Sequence, residues 1–287
     1  MLSLVGLLTP LEVAGLRLKN RIVMPPMHTG LATRKGAVTR RLIEHYVRRS
    51  KALGLLIVEH SYVSLDGKLS ERQLGIYDDK LVKGLRKLAN SVHAIGTPVV
   101  IQINHAGSRT TVEVTGMQPI APSPSENARE LGISEIEDLA DAFAVAAGRA
   151  MKAGFDGVEI HGAHGFLLNQ FFSPLANTRR DRYGGSLENR MSFPLEVVER
   201  VKEKVGDKLL LYRLGADDLD PAGTQIEDSQ KFAVRLEDAG VDIIDVSGGL
   251  GGSRPEQLQR KQGYYVSQAQ QIKKVVGVPV IGVGGIK

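Results

Sequence analysis

Short apolar runs alternate with longer amphipathic stretches along the whole chain. Runs such as Leu55–Val58, Val99–Ile103 and Ile243–Val246 are apolar on both faces, which is typical of strands in a parallel sheet covered on each side. The pattern predicts strands over Arg21–Met27, Leu55–Ser61, Pro98–Asn104, Gly157–His161, Leu209–Leu214, Asp242–Ser247 and Pro279–Val283. Helical periodicity predicts helices over Arg40–Leu53, Leu81–Ile95, Glu135–Ala153, Leu187–Val205, Glu227–Ala239 and Ser267–Val275. Repeated strand–helix units predict an α/β fold with a parallel sheet.

Small and polar residues mark the predicted ends of these helices. A left-handed C-cap is expected at the glycine that follows a helical stretch, as at Gly54, Gly96, Gly154 and Gly240. Ser186, after the Gly184-Gly185 turn, is a suitable N-cap for the helix that begins at Leu187. We expect the charges of the loop around Arg179–Arg190 to cross-link that loop rather than to clasp a substrate.

A doubly wound sheet and a closed barrel share this order of elements. The doubly wound form needs a glycine-rich phosphate loop after its first strand, whereas here that strand runs into Pro25-Pro26-Met27-His28. Residues suited to chemistry instead end several strands, namely His28, His60, Gln102, His161 and Arg213. This distribution favours a (β/α)₈ TIM barrel. Since the pattern predicts only seven strands, we expect a single domain over residues 1–287 that is incomplete at its C-terminal side and lacks the eighth strand and helix.

Composition excludes several classes of protein. Hydrophobic residues make up 42% of the 287 residues and charged residues 24%, which suits an ordinary globular core. The chain has no cysteine, so we expect no disulfide and no cysteine-ligated zinc or iron–sulfur cluster. The net charge of +5 is spread along the chain, which argues against nucleic-acid binding. No apolar run approaches the roughly 18 residues of a membrane span, and residues 1–19 lack the order of a signal peptide, so a cytoplasmic location is expected.

The densest chemical signal lies in the segment 157–174. A strand ends at His161, and glycines at 162 and 165 let the backbone turn so that His161 and His164 can both face the mouth of the barrel. Two imidazole N–H donors that converge on one oxygen would hold a carbonyl and stabilise the enolate formed when hydride adds to its β-carbon. Two other interpretations of this spacing are a metal site that also uses Glu159 and a pair of histidines with a purely structural role.

Two side chains and a glycine turn add candidate contacts for a cofactor. Gln102 is an amide among apolar neighbours, where it is either a satisfied core residue or a match for a flavin pyrimidine edge. Arg213 ends a predicted strand and requires an anion, which could be a reduced flavin, a phosphate, or Asp217 or Asp218. Gly284-Gly285 follow the seventh strand, where barrels commonly bind phosphate.

At these residues the sequence resembles the Old Yellow Enzyme family of NAD(P)H:flavin oxidoreductases. The resemblance covers nearly the whole chain and includes Leu18-Lys-Asn20-Arg21, Gln102-Ile-Asn-His-Ala-Gly107, His161-Gly-Ala-His164-Gly and the segment Arg179–Arg190. The run His28-Thr29-Gly30-Leu31 is similar to the branch that contains bacterial 2,4-dienoyl-CoA reductases and trimethylamine dehydrogenases.

The resemblance implies a (β/α)₈ barrel that binds FMN and uses NADH or NADPH as reductant. By matched position, it implies that the substrate is gripped by His161 and His164, with His28 and Phe166 nearby. The flavin contacts that it implies are Pro25, Pro26, Met27, His28, His60, Gln102, Arg213, Gly249, Gly284 and Gly285. No iron–sulfur cluster is expected, because its cysteines would lie in segments that this chain does not contain.

Three departures from the family pattern bear on the chemistry. Phe166 stands where the family usually has a proton-donating tyrosine, and Gly251 stands where the dienoyl-CoA branch has a histidine. The third departure is the eighth strand with its phosphate contacts, which the pattern does not predict in this chain. These departures favour a general reductase of enones or enoates. The alternatives are a flavin-dependent amine dehydrogenase and a barrel that binds FMN with impaired catalysis. We expect a small-molecule substrate and no nucleic-acid or membrane partner, and we leave a homo-oligomer open.

Overall fold

The computed structural model describes residues 4–258 and 261–286. In this part of the chain the strands are β1 Leu11–Val13, β2 Leu16–Leu18, β3 Val23–Met24, β4 Leu55–Tyr62, β5 Val99–Asn104, β6 Ile120–Ala121, β7 Arg129–Glu130, β8 Gly157–Gly162, β9 Leu209–Gly215, β10 Ile243–Ser247 and β11 Val280–Gly282. The helices are α1 Leu4–Leu8, α2 Arg40–Ser50, α3 Val82–His93, α4 Val112–Thr115, α5 Ile133–Ala153, α6 Leu167–Phe172, α7 Leu187–Val205, α8 Ile226–Asp238 and α9 Val266–Lys273.

The main sheet follows chain order. Its strands are β3, β4, β5, β8, β9, β10 and β11, and each lies parallel to the next. All seven strands that the sequence predicts are therefore present, each within a few residues of its predicted bounds. Within the described residues, β3 and β11 each have one neighbour in this sheet and form its two edges.

The sheet curls into a nearly closed barrel, as its two apolar clusters show. The larger cluster lies between the strands and the surrounding helices and includes Phe143, Val198 and Phe232. The smaller cluster fills the inside, and it is built from residues such as Ile57, Val100 and Leu211. Residues from both edge strands, Val23 of β3 and Ile281 of β11, pack against this inner cluster, so the two edges face each other across one interior. The predicted barrel fold is confirmed.

The inside of the barrel changes character along its axis. At the amino ends of the strands, the β1–β2 hairpin closes the barrel with Leu18, and the layers above contain aliphatic side chains. Towards the carboxyl ends, inward-facing positions become polar, as at Gln102, Glu159, Arg213 and Asp245. An apolar floor and a polar upper layer are therefore built by the same strands, and the polar layer marks the end where function is expected.

Two details of the sequence prediction were wrong. The first strand ends at Met24 rather than at Met27, because Pro25 and Pro26 have no N–H to donate to a neighbouring strand. Gly96, Gly154 and Gly240 have the predicted left-handed φ angles, but Gly54 does not. A Cβ atom at Gly54 would lie 2.0 Å from the carbonyl oxygen of Asn20, so close packing of two backbones requires the glycine there.

The loop around Arg179–Arg190 is a structural cross-link, as predicted. Arg179 is buried and its Nη1 donates to the carbonyl oxygens of Pro122 and Leu131 at 2.8 and 2.7 Å. Arg190 donates to the carbonyl oxygen of Phe172 at 2.9 Å. Ser186 caps α7 by accepting the N–H of Asn189 at 3.2 Å. These bonds fasten the segment after α6 to the body of the barrel.

Two glycine-to-alanine substitutions are expected to change stability in opposite directions. Gly54→Ala forces the Cβ into the Asn20 backbone, and overpacking of this kind costs about 1–3 kcal/mol. Gly148→Ala lies within α5 with no atom near its Cβ position, so it should gain about 0.5–1 kcal/mol of helix stability. Urea unfolding midpoints measure both changes, and equal midpoints for the two variants would contradict the packing described here.

Candidate active site

His161 and His164 meet at the carboxyl end of β8. Their ring centroids are 4.9 Å apart and the ring planes are nearly perpendicular. Phe166 lies against both rings, with its centroid 4.9 Å from that of His161, and His60 approaches from β4 with its centroid 6.2 Å from that of His161. The His-x-x-His spacing therefore does bring both imidazoles to the mouth of the barrel, together with an aromatic face and a third imidazole.

Hydrogen bonds determine which nitrogen of each ring carries the proton. The backbone N–H of Ala163 donates to Nδ1 of His161 at 3.3 Å, so in the neutral ring the proton lies on Nε2. For His164, Nε2 lies 2.7 Å from the hydroxyl of Ser247, and that hydroxyl accepts from Nη2 of Arg213 at 3.5 Å. The Arg213 guanidinium can only donate, and within the described residues Nε2 of His164 is the only acceptor within reach of the Ser247 hydroxyl. The Ser247 hydrogen therefore points to Nε2, and the proton of His164 lies on Nδ1.

The third imidazole is oriented in the same manner. Nε2 of Gln73 lies 2.7 Å from Nδ1 of His60. The other atom of the amide, Oε1, accepts the N–H of Leu69 at 2.6 Å, which fixes the orientation of the Gln73 side chain. Gln73 therefore donates to His60, and the proton of His60 lies on Nε2. Within the described part of the chain, the remaining N–H of each of the three imidazoles, His60, His161 and His164, has no hydrogen-bond partner and is available to a ligand.

All three rings are neutral at physiological pH. Burial lowers the pKa of His60 to about 3, with further effects of His28 and Arg213. Burial likewise lowers the pKa of His161, with contributions from His164 and Arg213, and it lowers the pKa of His164, with contributions from Arg213 and His60. A site lined by neutral N–H donors stabilises a developing oxyanion without itself gaining or losing a proton.

The backbone of His164 is held in an unusual conformation. Its φ angle is +60°, a region that residues other than glycine seldom adopt. Its N–H donates to the carbonyl oxygen of Gly248 at 3.0 Å, and Gly165 beyond it donates to Oδ1 of Asn169 at 2.8 Å. These bonds hold the residue in place, and backbone strain of this kind is concentrated at ligand-binding positions.

Arg213 is the cation of the polar layer. Pairing between β8, β9 and β10 sets it beside His161 on one side and Asp245 on the other. Its Nε lies 3.5 Å from Oδ2 of Asp245, an ion-pair distance without the alignment of a hydrogen bond. The sequence suggested Asp217 or Asp218 as alternative partners, which is wrong: these carboxylates accept backbone N–H groups of Leu219 and Leu250 instead. Nη1 of Arg213 has no hydrogen-bond partner within the described residues and is available to an anion.

Gln102 lies on the inner face of β5 and is fully buried. Its Nε2 donates to Oε1 of Glu159 at 2.8 Å, while its Oε1 has no partner in the described part of the chain. Burial and the nearby Asp245 carboxylate raise the pKa of Glu159, so Glu159 favours its protonated form. An orphaned buried amide oxygen costs free energy unless something donates to it, which makes it a contact offered to a ligand.

The segment after β3, residues 25–29, lies beside the imidazoles of the site. Pro26 is buried, Pro25 is half-buried, and Met27 is 50% exposed. Nδ1 of His28 lies 3.0 Å from Oε2 of Glu59, a buried carboxylate that also accepts the N–H and hydroxyl of Thr29. The ring of His28 lies 5.2 Å from that of His60 between centroids. The predicted group at this strand end is thus brought next to the three imidazoles.

The glycines named from the sequence behave differently from one another. Gly284 and Gly285 have φ angles of +101° and +62°, and within the described residues neither N–H is hydrogen-bonded, as a phosphate-binding turn requires. Gly249 already donates its N–H to the carbonyl oxygen of Asp217 at 3.0 Å, and a Cβ there would lie 2.1 Å from Oδ1 of Asp218. Its glycine requirement comes from packing, and it offers no free donor. Gly251 is exposed and contributes no side chain to the site.

These features fit a flavin mononucleotide. A planar ring with alternating donors and acceptors would satisfy the orphaned Oε1 of Gln102 and meet the free Nη1 of Arg213. The unbonded N–H groups of Gly284 and Gly285 suit its phosphate. No cluster of three or more histidine, cysteine, aspartate or glutamate residues suited to a metal occurs among the described residues. Nor does the described chain include a helix with the length and apolar character of a membrane span.

Three residues of the site were not singled out from the sequence. Ser247 sets the tautomer of His164, Asp245 pairs with Arg213, and Gln73 orients His60. The run Ile243-Ile-Asp245-Val-Ser247 did contain a signal, because two polar residues alternate with apolar ones at a strand end. Gln73 lies in a loop with no periodic pattern, so only the folded chain reveals its role.

Comparison with solved structures places this fold in a known class of barrel. It matches an Old Yellow Enzyme homologue from Zymomonas mobilis with a TM-score of 0.84 and 30% identity, over 96% of this chain and 81% of that one. Morphinone reductase matches with a TM-score of 0.85 and 29% identity, over 98% and 80% of the two chains. A complex of 2-naphthoyl-CoA reductase matches with a TM-score of 0.90 and 28% identity, over 96% of this chain but 46% of that one.

The chain belongs to the NADH:flavin oxidoreductase / NADH oxidase family, whose description matches residues 6–287. An NADH oxidase of Thermoanaerobacter brockii is 46% identical over 96% of this chain, which spans 44% of that relative's length. An NADPH dehydrogenase of Geobacillus sp. (strain WCH70) is 41% identical over 97% of this chain, which spans 82% of that relative's length. The expectation of a flavin-dependent oxidoreductase of the Old Yellow Enzyme type is confirmed. The narrower likeness to the dienoyl-CoA reductase branch stays a prediction.

The tautomers deduced above can be measured directly. Nitrogen-15 NMR of the imidazoles should show protonated Nε2 in His161 and protonated Nδ1 in His164 at neutral pH. Ser247→Ala removes the hydroxyl that holds Nε2 of His164, so the His164 signals should move towards a mixture of tautomers while those of His161 stay. Ser192→Ala, at a half-buried position of α7 away from the site, is the control. A single unchanged tautomer in Ser247→Ala would contradict the assignment.

Proposed function

We propose that this chain binds FMN and reduces the activated C=C bond of an enone or enoate at the expense of NADH or NADPH. The observation that carries the proposal is the pair of free N–H donors, Nε2 of His161 and Nδ1 of His164, on neutral rings 4.9 Å apart beside a buried arginine. When bound, the flavin would supply the two-electron hydride-transfer chemistry, through its N5, that connects the nicotinamide to the acceptor. The relatives named NADH oxidase and NADPH dehydrogenase support the choice of reductant.

The two imidazoles would act on the carbonyl oxygen of the acceptor. Both can donate to the same oxygen, which polarises the conjugated C=C bond and makes its β-carbon electrophilic. As hydride adds, negative charge moves to that oxygen, and hydrogen bonds to the charged form are stronger than those to the neutral form. Fixed donors of this type typically contribute about 10²–10³ in rate each. Because both rings stay neutral, their donation does not depend on pH across the physiological range.

The proposal assigns the residues of the polar layer to the cofactor. Gln102 would present its orphaned Oε1 and Arg213 its free guanidinium edge to the flavin ring. His60, Pro25, Pro26, Met27 and His28 would border the ring from the β3 and β4 ends, and the turn at Gly284-Gly285 would hold the phosphate. A positive charge held at the end of β9 favours a ring that becomes anionic on reduction.

In this chain the α-carbon of the acceptor does not receive its proton from a tyrosine at position 166. Phe166 lies against both imidazoles but has no dissociable proton. Its ring instead excludes water from one side of the histidine pair and presents a flat apolar surface to the substrate. Protonation then comes from water or from another group, which makes this step a candidate for rate limitation.

Residues 1–287 form one FMN-binding domain in this proposal. The single main sheet that runs from β3 to β11 supports this. The substrate is a small molecule rather than a nucleic acid, since the net charge of +5 is spread along the chain. A cytoplasmic location, where reduced nicotinamide nucleotides are available, completes the proposal.

A double substitution separates flavin binding from substrate binding. His161→Ala with His164→Ala should remove the long-wavelength absorbance that para-hydroxybenzaldehyde produces with oxidised flavin and weaken that ligand at least about 100-fold, since two hydrogen bonds to a charged oxygen are lost. FMN should stay bound, because neither ring holds the phosphate. His45→Ala, on α2 outside the barrel, is the control. If the protein mixed with excess FMN acquires no bound flavin, the proposed function is wrong.

A single substitution tests the proton supply. Phe166→Tyr places a hydroxyl next to the imidazole pair, and a positioned general acid typically raises a rate by about 10²–10⁴-fold. We expect faster reoxidation of reduced flavin by a cyclic enone. Phe166→Leu replaces the ring by an aliphatic side chain that has no dissociable proton, and it is the matched control. A secondary amine that reduces oxidised flavin, with no reaction of the enone, would favour the amine dehydrogenase alternative.

A further inference from the structure

A second cation lies at the mouth of the barrel, above the histidine pair. Arg109 ends the short turn Gly107–Arg109 that follows β5, and its side chain is exposed. Its Nη1 lies 3.6 Å from the Cβ position of Gly165, and its Nη2 lies 4.0 Å from that of Gly252. The guanidinium therefore spans the loop that carries His164 and the loop that follows Ser247.

The two glycines leave the space that this guanidinium occupies. Gly165 and Gly252 have φ angles of +72° and +86°, a conformation that favours glycine and so disfavours a competing side chain. Both loops are held by hydrogen bonds: Gly165 donates to Oδ1 of Asn169 at 2.8 Å, and the carbonyl oxygen of Gly252 accepts the hydroxyl of Tyr265 at 3.0 Å. Arg109 thus rests on a preformed surface beside the substrate position.

Nothing in the described residues neutralises Arg109. Its guanidinium makes no hydrogen bond or ion pair there. The carboxylate of Asp218, which packs under the loop after Ser247, is already used, because it accepts the N–H groups of Leu250 and Thr224 at 2.7 and 2.8 Å. Arg213, the other cation of the site, is paired with Asp245. Among the described residues, the positive charge of Arg109 at the mouth of the barrel therefore has no partner, and it lies beside a set of neutral rings.

We propose that Arg109 binds an oxyanion group, a carboxylate or a phosphate, on the molecule that enters above His161 and His164. This inference rests on the proposed function and deepens it, since it assigns to one of the two substrates an anionic group that the protein binds away from the reacting atoms. The guanidinium presents paired N–H donors that match a carboxylate or phosphate. The oxyanion belongs either to the acceptor or to the nicotinamide nucleotide, whose phosphates have the same chemistry.

The test compares ligands that differ only in charge. Calorimetry of the full chain, with FMN and without it, measures the affinities of 4-hydroxycinnamate and of its uncharged amide. Wild type should bind the carboxylate at least about tenfold more tightly relative to the amide than Arg109→Gln does, because a charge-assisted pair is lost. Arg235→Gln removes the same charge from the exposed face of α8 and should change neither affinity.

A second arm identifies the source of the oxyanion. Affinities of NADPH and NADH for the same three proteins show whether the nucleotide phosphates use Arg109. Loss of discrimination between the phenolic ligands assigns the oxyanion to the acceptor, and a selective loss for the nucleotides assigns it to the reductant. If Arg109→Gln binds all four ligands as wild type does, with or without FMN, the proposal is overturned. Absence of bound FMN would instead reject the proposed function, and the calorimetric comparison would still decide the role of Arg109.

Discussion

The register of β8, β9 and β10 is the constraint on which the site depends. Parallel pairing sets His161, Arg213 and Asp245 side by side on the inner face of the barrel. A shift of one residue in any of these strands would turn its polar residue outward among the helices. The apolar floor below, with Leu211 and Ile243, holds that register because its side chains have no other place to pack.

One ion pair and a series of hydrogen bonds link the buried cation Arg213 to His164 at the proposed substrate position. Asp245 pairs with Arg213, Arg213 donates to the hydroxyl of Ser247, and Ser247 donates to Nε2 of His164, which leaves the proton of that ring on Nδ1. His161 reaches the equivalent state through the backbone of Ala163. Burial keeps both rings neutral, so the site offers directed donors whose strength comes from low dielectric surroundings rather than from net charge. The uncompensated charge of Arg109 lies outside this layer, where it can meet a solvated ligand.

The order of elements and much of the site could be predicted from the sequence. Apolar runs of strand length separated by amphipathic stretches specify a parallel sheet, and every predicted strand is present. His161, His164, Gln102 and Arg213 were recognisable because a polar residue at the end of an apolar strand needs a partner or a ligand. The end of the first strand was missed although Pro25 and Pro26, which lack an N–H, mark it in the sequence. The role of Gly54 was missed because it depends on how closely two distant backbones approach.

The sequence by itself determined the fold class, the direction of the strands and the end of the barrel that carries the chemistry. These follow from local periodicity and from the type of residue that ends each strand. Only the tertiary structure decided that Arg213 pairs with Asp245 rather than with Asp217 or Asp218, and which nitrogen of each imidazole keeps its proton. Partners and tautomers depend on distances between atoms that lie far apart in the chain, and those distances exist only after the sheet has closed around its core.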